Sequence, residues 1–497
     1  MLLGELLAEI SPVGTDRFDP AVEVDSVTHD SRLAGPGAVF VAVPGFNHDG
    51  MRFAPAAVAR GARAVVAASI PEAREPGVAY IAVEDVRVAL ARLSRRINGA
   101  PDERLRLYGV TGTNGKTSTA YFLAAILREA ERRVGVMGTI GFDVDGEIRE
   151  TPNTTPEGPV LHGILREAVE SGVQDVVMEV SSHSLELERV AGMHFDVAMF
   201  TNLTKDHLEL HGTMEQYYRA KRRLFESACA CVSVIDVDDE WGARAARELE
   251  ASGRRVITVA RTREGADIRA ERVVTSLAGT RFDLVAFGER VPVSLRALGD
   301  YNVNNALVAA GAALCQGYAP ETVVAGLAAV EPVPGRLERV PHDDLDVFID
   351  YAHTTDALAC CLAALRGLSD APITLVFGVL GDRVPQQRRE MGEIAARADH
   401  VILTEDDLKR GTLDEVVADA GAALDEAGAD WRLIENRWEA IAAGVERARL
   451  GDVVVIAGKG HERQLILPHG RGVIVLDEAA AVRAAFEGRD PRELDPR

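Results

Sequence analysis

Residues Leu105 to Ser118, Leu-Arg-Leu-Tyr-Gly-Val-Thr-Gly-Thr-Asn-Gly-Lys-Thr-Ser, constrain this chain more than any other stretch. The first half, Leu105 to Thr111, alternates apolar and polar residues as a strand does. The second half is a tight run, Gly112-Thr113-Asn114-Gly115, closing on Lys116, Thr117 and Ser118. Thr119 to Arg128 then has the apolar spacing and composition of a helix. Strand, glycine loop, Lys-Thr and helix is the order that binds a nucleotide phosphate. Glycines let backbone N–H groups close around the anion, and the helix start adds a partial positive charge. Lys116 supplies a point charge to the outer phosphates and Thr117 a hydroxyl to Mg²⁺. The run departs from a standard Walker A sequence, because Val110 stands where the first glycine would be.

A chain of 497 residues holds about three domains at ~150 residues each. Hydrophobic residues make up 47% and charged residues 27%, enough for ordinary buried cores. A formal net charge of −22 argues against broad nucleic-acid or membrane-surface binding. It leaves room for an anionic nucleotide, which glycine loops and arginines bind locally. The start, Met1 to Ile10, is short and acidic without a basic leader, so it reads as a small helix and not a signal peptide. No apolar run approaches the ~20 residues of a membrane span. Cys229, Cys231, Cys315, Cys360 and Cys361 form no paired CxxC motif, which favours small core residues in a reducing cytoplasm over zinc.

Residues 1 to 99 read as a small α/β unit, with strands at Ala38 to Val43 and Ala64 to Ala68 and a helix at Ala54 to Arg60. Two polar clusters, Thr28 to Arg32 and Pro44 to Gly50, interrupt it as loops. The turn-rich Asn98 to Asp102 marks the first boundary. From 100 to 331 strands and helices alternate, the mark of a mostly parallel sheet. Pro156 to Ser171 reads as a helix, Asp175 to Val180 and Val197 to Thr201 as strands, and 267 to 296 as β-hairpins with Gly279 and Gly288 at the turns. Two of these strands end in polar clusters, Glu179 to His183 and Asn202 to His207, where open α/β sheets bind ligands. Residues 332 to 497 repeat the alternation. Their last strand ends in Gly458-Lys-Gly-His-Glu462, and no GxGxxG run marks a nicotinamide site.

Several motifs together resemble one family, the Mur ligases, and within it the MurE branch, over essentially the whole chain. They are Asp30-Ser31-Arg32, Gly112 to Thr117, Asn153-Thr154-Thr155-Pro156, Glu179-Val-Ser-Ser182-His183 with Arg189, and Thr201 to His207. Lys221, Gly299 to Asn305, Pro334-Gly-Arg336, Asp350-Tyr-Ala-His353 and Gly458 to Glu462 continue the match. Folylpolyglutamate synthases share the glycine loop, and a non-catalytic nucleotide-binding paralogue would also keep it. The other motifs favour the MurE branch, and phosphate release with and without an amino acid separates the three.

The resemblance implies an ATP-dependent acid–amino-acid ligase of peptidoglycan precursor synthesis. It would act as a cytoplasmic monomer, adding a diamino acid to UDP-N-acetylmuramoyl-L-alanyl-D-glutamate through an acyl phosphate. It implies three α/β domains: a UDP-binding domain (1–99), a P-loop ATPase-like central domain (100–331) and a Rossmann-like amino-acid domain (332–497). By the same resemblance, Gly112 to Ser118, Asn302, Asn305, Arg336, Asp350 and His353 serve ATP. Thr117, Glu179, His207 and a carbamylated Lys221 hold Mg²⁺, and Lys116, Lys221, His207 and Arg336 are the catalytic set. Asp30, Ser31, Arg32, Asn153, Thr154, Thr155, Ser182, His183 and Arg189 bind the nucleotide-linked dipeptide. Arg383, Asp407, Lys409, Gly458 and Glu462 meet the incoming amino acid.

One stretch departs from the family. Diaminopimelate-using members carry Asp-Asn-Pro-Arg where this chain has Asp406-Asp407-Leu408-Lys409, and Val384 to Arg388 replaces a lysine-rich run. Lysine lacks the bidentate fork of arginine. Glu405, Asp406 and Asp407 would repel a second substrate carboxylate and attract a lone ammonium. The expectation is therefore L-lysine or L-ornithine over meso-diaminopimelate.

Overall fold

The computed structural model describes residues 1–45, 48–226, 230–342, 345–470 and 472–495. Cys229, Phe46 and Asn47 of the second polar cluster, and Pro496 and Arg497 of the charged tail lie outside the described residues. The chain divides into two compact units. Residues 1–269, 285–289 and 304–326 form one, and 270–284, 290–303 and 327–497 the other.

The first unit opens with a short helix, Leu3–Leu7, that buries Leu3, Leu6 and Leu7. A five-stranded sheet follows in the order Pro12–Asp16, Ala79–Val83, Ala64–Ala67, Ala38–Val41, Ser26–Thr28. Every residue of its three central strands is buried. The helix Val86–Ile97 packs on this sheet; the Asp85 carboxylate caps its start, accepting from the N–H groups of Arg87 and Val88.

The second sheet of this unit sets the strand Arg106–Thr111 between Phe195–Phe200 and Asp175–Glu179, parallel to both. Ala230–Asp236 and Val256–Ala260 extend it in parallel beyond Phe195–Phe200. Val134–Gly138 pairs in parallel with Asp175–Glu179 on the other side. The alternation expected for Arg106–Thr111 is not its burial pattern: all but Arg106 are buried. A central parallel strand is covered on both faces, so its sequence need not alternate for burial. The helix Lys116–Glu129 buries Phe122, Leu123, Ile126 and Leu127. Each such side chain contributes about 1.5–3 kcal/mol, anchoring the helix whose first turn adjoins the glycine loop.

Strands Ile268–Ser276, Gly279–Ala286 and Glu289–Leu295 occupy the stretch read as hairpins. Gly279 (φ +128°) and Gly288 (φ +90°) take turn conformations there. The second unit carries a six-stranded sheet in the order Glu338–Val340, Asp346–Asp350, Val453–Ala457, Ile373–Gly378, His400–Thr404, Trp431–Leu433. It is parallel except for its first strand. Together these sheets make a mixed α/β architecture, as the sequence suggests. Among the described residues, no helix is long and apolar enough to cross a membrane.

Candidate active site

Three strands of the second sheet end together, at Thr111, Glu179 and Phe200, and the glycine loop leaves the middle one. Two glycines make the loop possible. A Cβ on Gly112 would lie 1.9 Å from Thr201 Oγ1, and one on Gly115 (φ +84°) 2.1 Å from Asn305 Oδ1. The segment after Phe200 clamps the loop. Asn202 O accepts from Thr113 N–H and Asn202 Oδ1 from Asn114 N–H, both at 2.9 Å. Thr201 Oγ1 donates to Asn114 O at 2.6 Å. Lys116, half-buried at the helix start, donates from Nζ to Gly112 O (3.1 Å) and Thr113 O (2.8 Å).

Thr117 Oγ1 donates to Glu179 Oε1 at 2.9 Å. Thr139 adds its N–H to the same oxygen and its hydroxyl to Oε2. Glu179 is 1% exposed. A buried carboxylate beside a hydroxyl at the end of a phosphate loop is the hard oxygen set that Mg²⁺ takes. Ser118 is buried behind them.

Lys221 lies on the helix Met214–Glu226 and is 1% exposed. Its Nζ donates to Gly112 O at 2.7 Å and sits 4.6 Å from the centre of the Tyr217 ring. Burial first, and then the Lys116 cation, hold its pKa well below the usual lysine range. Burial of this kind favours the neutral amine over the ammonium. His207 (φ +51°) approaches Asp206 Oδ2 at 3.3 Å, and its ring meets that of His183 at 4.8 Å. His211 stacks on Tyr217 at 5.0 Å.

The motif from Asn153 to Arg189 does mostly internal work. Thr155 is fully buried; its hydroxyl donates to Glu179 O (2.9 Å) and accepts from Ser181 N–H (3.1 Å). Arg189, expected to grip a ligand anion, donates to Glu157 Oε1 and Thr155 O, both at 2.8 Å. Both residues shape the strand end in this structure. Asn153 is exposed, Thr154 meets Thr139 at 3.3 Å, and Ser182 Oγ is buried without a hydrogen-bond partner among the described residues. Arg32 pairs with Asp30 at 2.6 Å, its side chain 83% exposed, and Ser31 between them is half-buried.

In the second unit, Arg336 lies 4.9 Å over the Tyr351 ring. Asp350 accepts from Leu337 N–H (2.7 Å) and Ala352 N–H (2.9 Å), and desolvation raises its pKa. His353 Nδ1–H donates to Tyr351 O at 2.8 Å, and burial lowers its pKa. Asn302 is buried and donates to Leu298 O at 2.7 Å.

Lys459, 1% exposed, donates to Asp407 Oδ1 at 2.9 Å and to Glu462 Oε2. Burial pulls its pKa down, but Asp406, Glu462 and Asp407 outweigh that and raise it. Arg437, fully buried, binds Glu478 Oε1 and Ala457 O at 2.8 Å and Glu405 O at 3.0 Å. The three carboxylates expected to face a substrate thus turn inward: Asp407 bonds Lys459, Asp406 lies 4.0 Å from it, and Glu405 Oε1 accepts from Arg437 N–H. That removes the electrostatic ground for preferring L-lysine or L-ornithine. Asp406 Oδ2 has no hydrogen-bond partner among the described residues, and a Cβ on Gly458 would sit 2.6 Å from it. Lys409 (φ +48°) pairs with Asp382 at 3.3 Å, and Arg383 is half-buried.

The chain matches the Mur ligase middle domain over residues 110–313 and the Mur ligase glutamate ligase domain over 335–460. Residues 23–97 match the Mur ligase family catalytic domain. It is 40% identical to a UDP-N-acetylmuramoyl-L-alanyl-D-glutamate–2,6-diaminopimelate ligase of Solibacter usitatus, covering 98% of this chain and 99% of that protein. The chain belongs to the Mur ligase family. A second relative of this Mur ligase, the ligase 1 of the same name from Clostridium acetobutylicum, is 38% identical over 93% of the chain and 95% of that protein. A solved structure of a 2,6-diaminopimelate ligase aligns with TM-score 0.71 at 31% identity, covering 98% and 99% of the two chains. The fold is also that of a MurF ligase from Thermotoga maritima solved with ADP, at TM-score 0.62 and 20% identity over 95% and 99% of the chains.

Among the residues that the family motifs brought forward, the glycine loop, Thr117, Glu179 and Lys221 come together here. The sequence reading passed over Thr139, His211, Tyr217, Arg437 and Glu478. Tyr217, four residues before Lys221, shares its helix face and was open to detection by spacing. Arg437 and Glu478, 41 residues apart, carry no such local signal.

Proposed function

We propose that this Mur ligase adds diaminopimelate to the D-glutamate carboxylate of UDP-N-acetylmuramoyl-L-alanyl-D-glutamate, in the cytoplasm. As a member of its family it is an ATP-dependent acid–amino-acid ligase. A carboxylate is a poor acyl donor. An oxygen of the D-glutamate carboxylate attacks the γ-phosphorus of ATP and ADP leaves, giving an acyl phosphate. The incoming amine then adds to the acyl carbon, loses a proton, and expels phosphate as the amide forms.

The observation that carries this reading is the junction of the glycine loop with buried Glu179 and buried Lys221. Lys116 neutralises charge on the transferring phosphoryl group. Thr117 and Glu179 are the groups to hold one Mg²⁺. His207 and Lys221 are the groups for a second, Lys221 after its free amine takes up CO₂ as a carbamate, which turns a cation into an oxygen ligand. When bound, the metal supplies charge neutralisation between carboxylate and phosphate. Arg336, Asp350, His353, Asn302 and Asn305 serve the nucleotide, as the family resemblance implies. The three domains, 1–99, 100–331 and 332–497, divide the UDP-linked substrate, ATP and the amino acid in that order.

The names of the related ligases support diaminopimelate. So does the chemistry near Gly458: Lys409 and Arg383 supply cations for a distal carboxylate. Phosphate release measured with UDP-muramoyl-dipeptide should require an added amino acid. With meso-diaminopimelate, L-lysine and L-ornithine at equal concentration, the diaminopimelate product should dominate by mass. A dominant lysine or ornithine product refutes the specificity, and no release with any of them refutes the ligase reading.

A further inference from the structure

Lys221 needs more than burial to serve as a metal-site carbamate: the new planar group must be held in one orientation. Two contacts on its nitrogen do this. Gly112 O accepts from Nζ at 2.7 Å, and the Tyr217 ring lies 4.6 Å away with its face toward it. Tyr217 and Lys221 are four residues apart on one helix, so their side chains share a face. The ring itself is fixed. It is 1% exposed, stacks with His211 at 5.0 Å and an interplanar angle of 28°, and meets the His207 ring edge-on at 6.3 Å. Its hydroxyl lies 3.2 Å from Thr113 Oγ1. Thr113 Oγ1 also lies 3.2 Å from Thr204 O and accepts from Thr204 N–H at 3.0 Å.

We propose that Tyr217 is a positioning residue: its ring is the platform on which the Lys221 carbamate lies. The inference rests on the reading that Lys221 carries a carbamate. In that step the Nζ lone pair forms a bond to the carbon of CO₂, one C–O π pair moves onto oxygen, and an N–H proton leaves to water. No oxidant or reductant is required. The remaining N–H continues to donate to Gly112 O while the planar carbamate stacks on the ring. Tyr217 acts through Lys221.

The test uses the full chain with carbon-13 bicarbonate, following the carbamate carbon by NMR as bicarbonate is raised, with ADP binding measured in parallel. Tyr217→Leu should raise the bicarbonate needed for half-maximal carbamate about threefold to tenfold, the worth of one stacked planar contact, while ADP binding stays unchanged. Tyr217→Phe, which keeps the ring, should follow the wild-type curve. Tyr217→Met, unbranched and apolar, carries the same test where the leucine variant fails to fold. An unchanged bicarbonate curve in the leucine or methionine variant overturns the platform alone. A phenylalanine variant that behaves like the leucine one also overturns it, because the hydroxyl would then be what matters. A wild-type protein with no carbamate signal at any bicarbonate concentration refutes the carbamate reading itself, and the platform falls with it.

Discussion

His162 makes a measurable demand on pH. It sits in the helix Gly158–Glu170, fully buried, and neither ring nitrogen has a hydrogen-bond partner among the described residues. Burial, and secondarily the Arg95 cation, lowers its pKa from 6.5 to about 3. The folded protein therefore keeps the ring neutral where the unfolded chain takes up a proton. Between about pH 6.5 and 3 the unfolded state binds more protons, so stability is full above that window and is lost as pH falls through it. At about 1.4 kcal/mol per unit, the loss from this one side chain is about 2 kcal/mol near pH 5 and about 5 kcal/mol near pH 3. His162→Leu removes the titration and two orphaned nitrogens while keeping an apolar group of similar size. Urea-unfolding midpoints for both proteins, measured near pH 7.5 and near pH 5, read the difference. The leucine variant should gain about 2 kcal/mol on the wild type between the two conditions. A gap between the two proteins that does not change with pH would refute the burial argument.

Two further outcomes follow from single side chains. Lys116→Ala should cut ligation by about a thousandfold or more and lower the melting temperature by only a few degrees, since its two loop-carbonyl bonds are worth about 1 kcal/mol each; near-normal turnover sinks the phosphate assignment. Lys459→Met should lower the unfolding free energy by about 3–5 kcal/mol, because Asp407 and Glu462 lose their buried cation; unchanged urea midpoints would show that the carboxylates are protonated or solvated instead.

The glycine loop was legible because its chemistry is local: strand, glycines, lysine, threonine and helix lie within fourteen consecutive residues, 105–118. The strand ends at Glu179 and Asn202 were legible because polar residues abruptly follow apolar runs. What joins them was not. Asn202 clamps Asn114 across 88 residues, and Lys459 reaches Asp407 across 52. No spacing rule spans such distances, so Glu405, Asp406 and Asp407 read as a substrate-facing acidic cluster when they are buried against Lys459 and Arg437. The same gap hid the internal partners of Thr155 and Arg189, which are backbone and Glu157. Their residue types suit a ligand, but the fold uses them first.

The two lysines at the loop differ in burial. Lys116 and Lys221 both donate to Gly112 O, at 3.1 and 2.7 Å. Two ammonium groups on one carbonyl repel each other, and the repulsion grows as water is excluded. Lys116 is half-buried at a helix start. Lys221 is 1% exposed, and burial is the first cause that lowers its pKa. On the proposed reading the pair relaxes by Lys221 giving up its proton, and the resulting amine is the nucleophile CO₂ requires. Carbamylation then reverses the sign of the interaction: an anion beside Lys116 is attracted where a cation was repelled. On the proposed reading, the arrangement that looks most costly, two lysines around one carbonyl, is the one that would generate an oxygen ligand beside the glycine loop without recruiting another acidic residue from the chain.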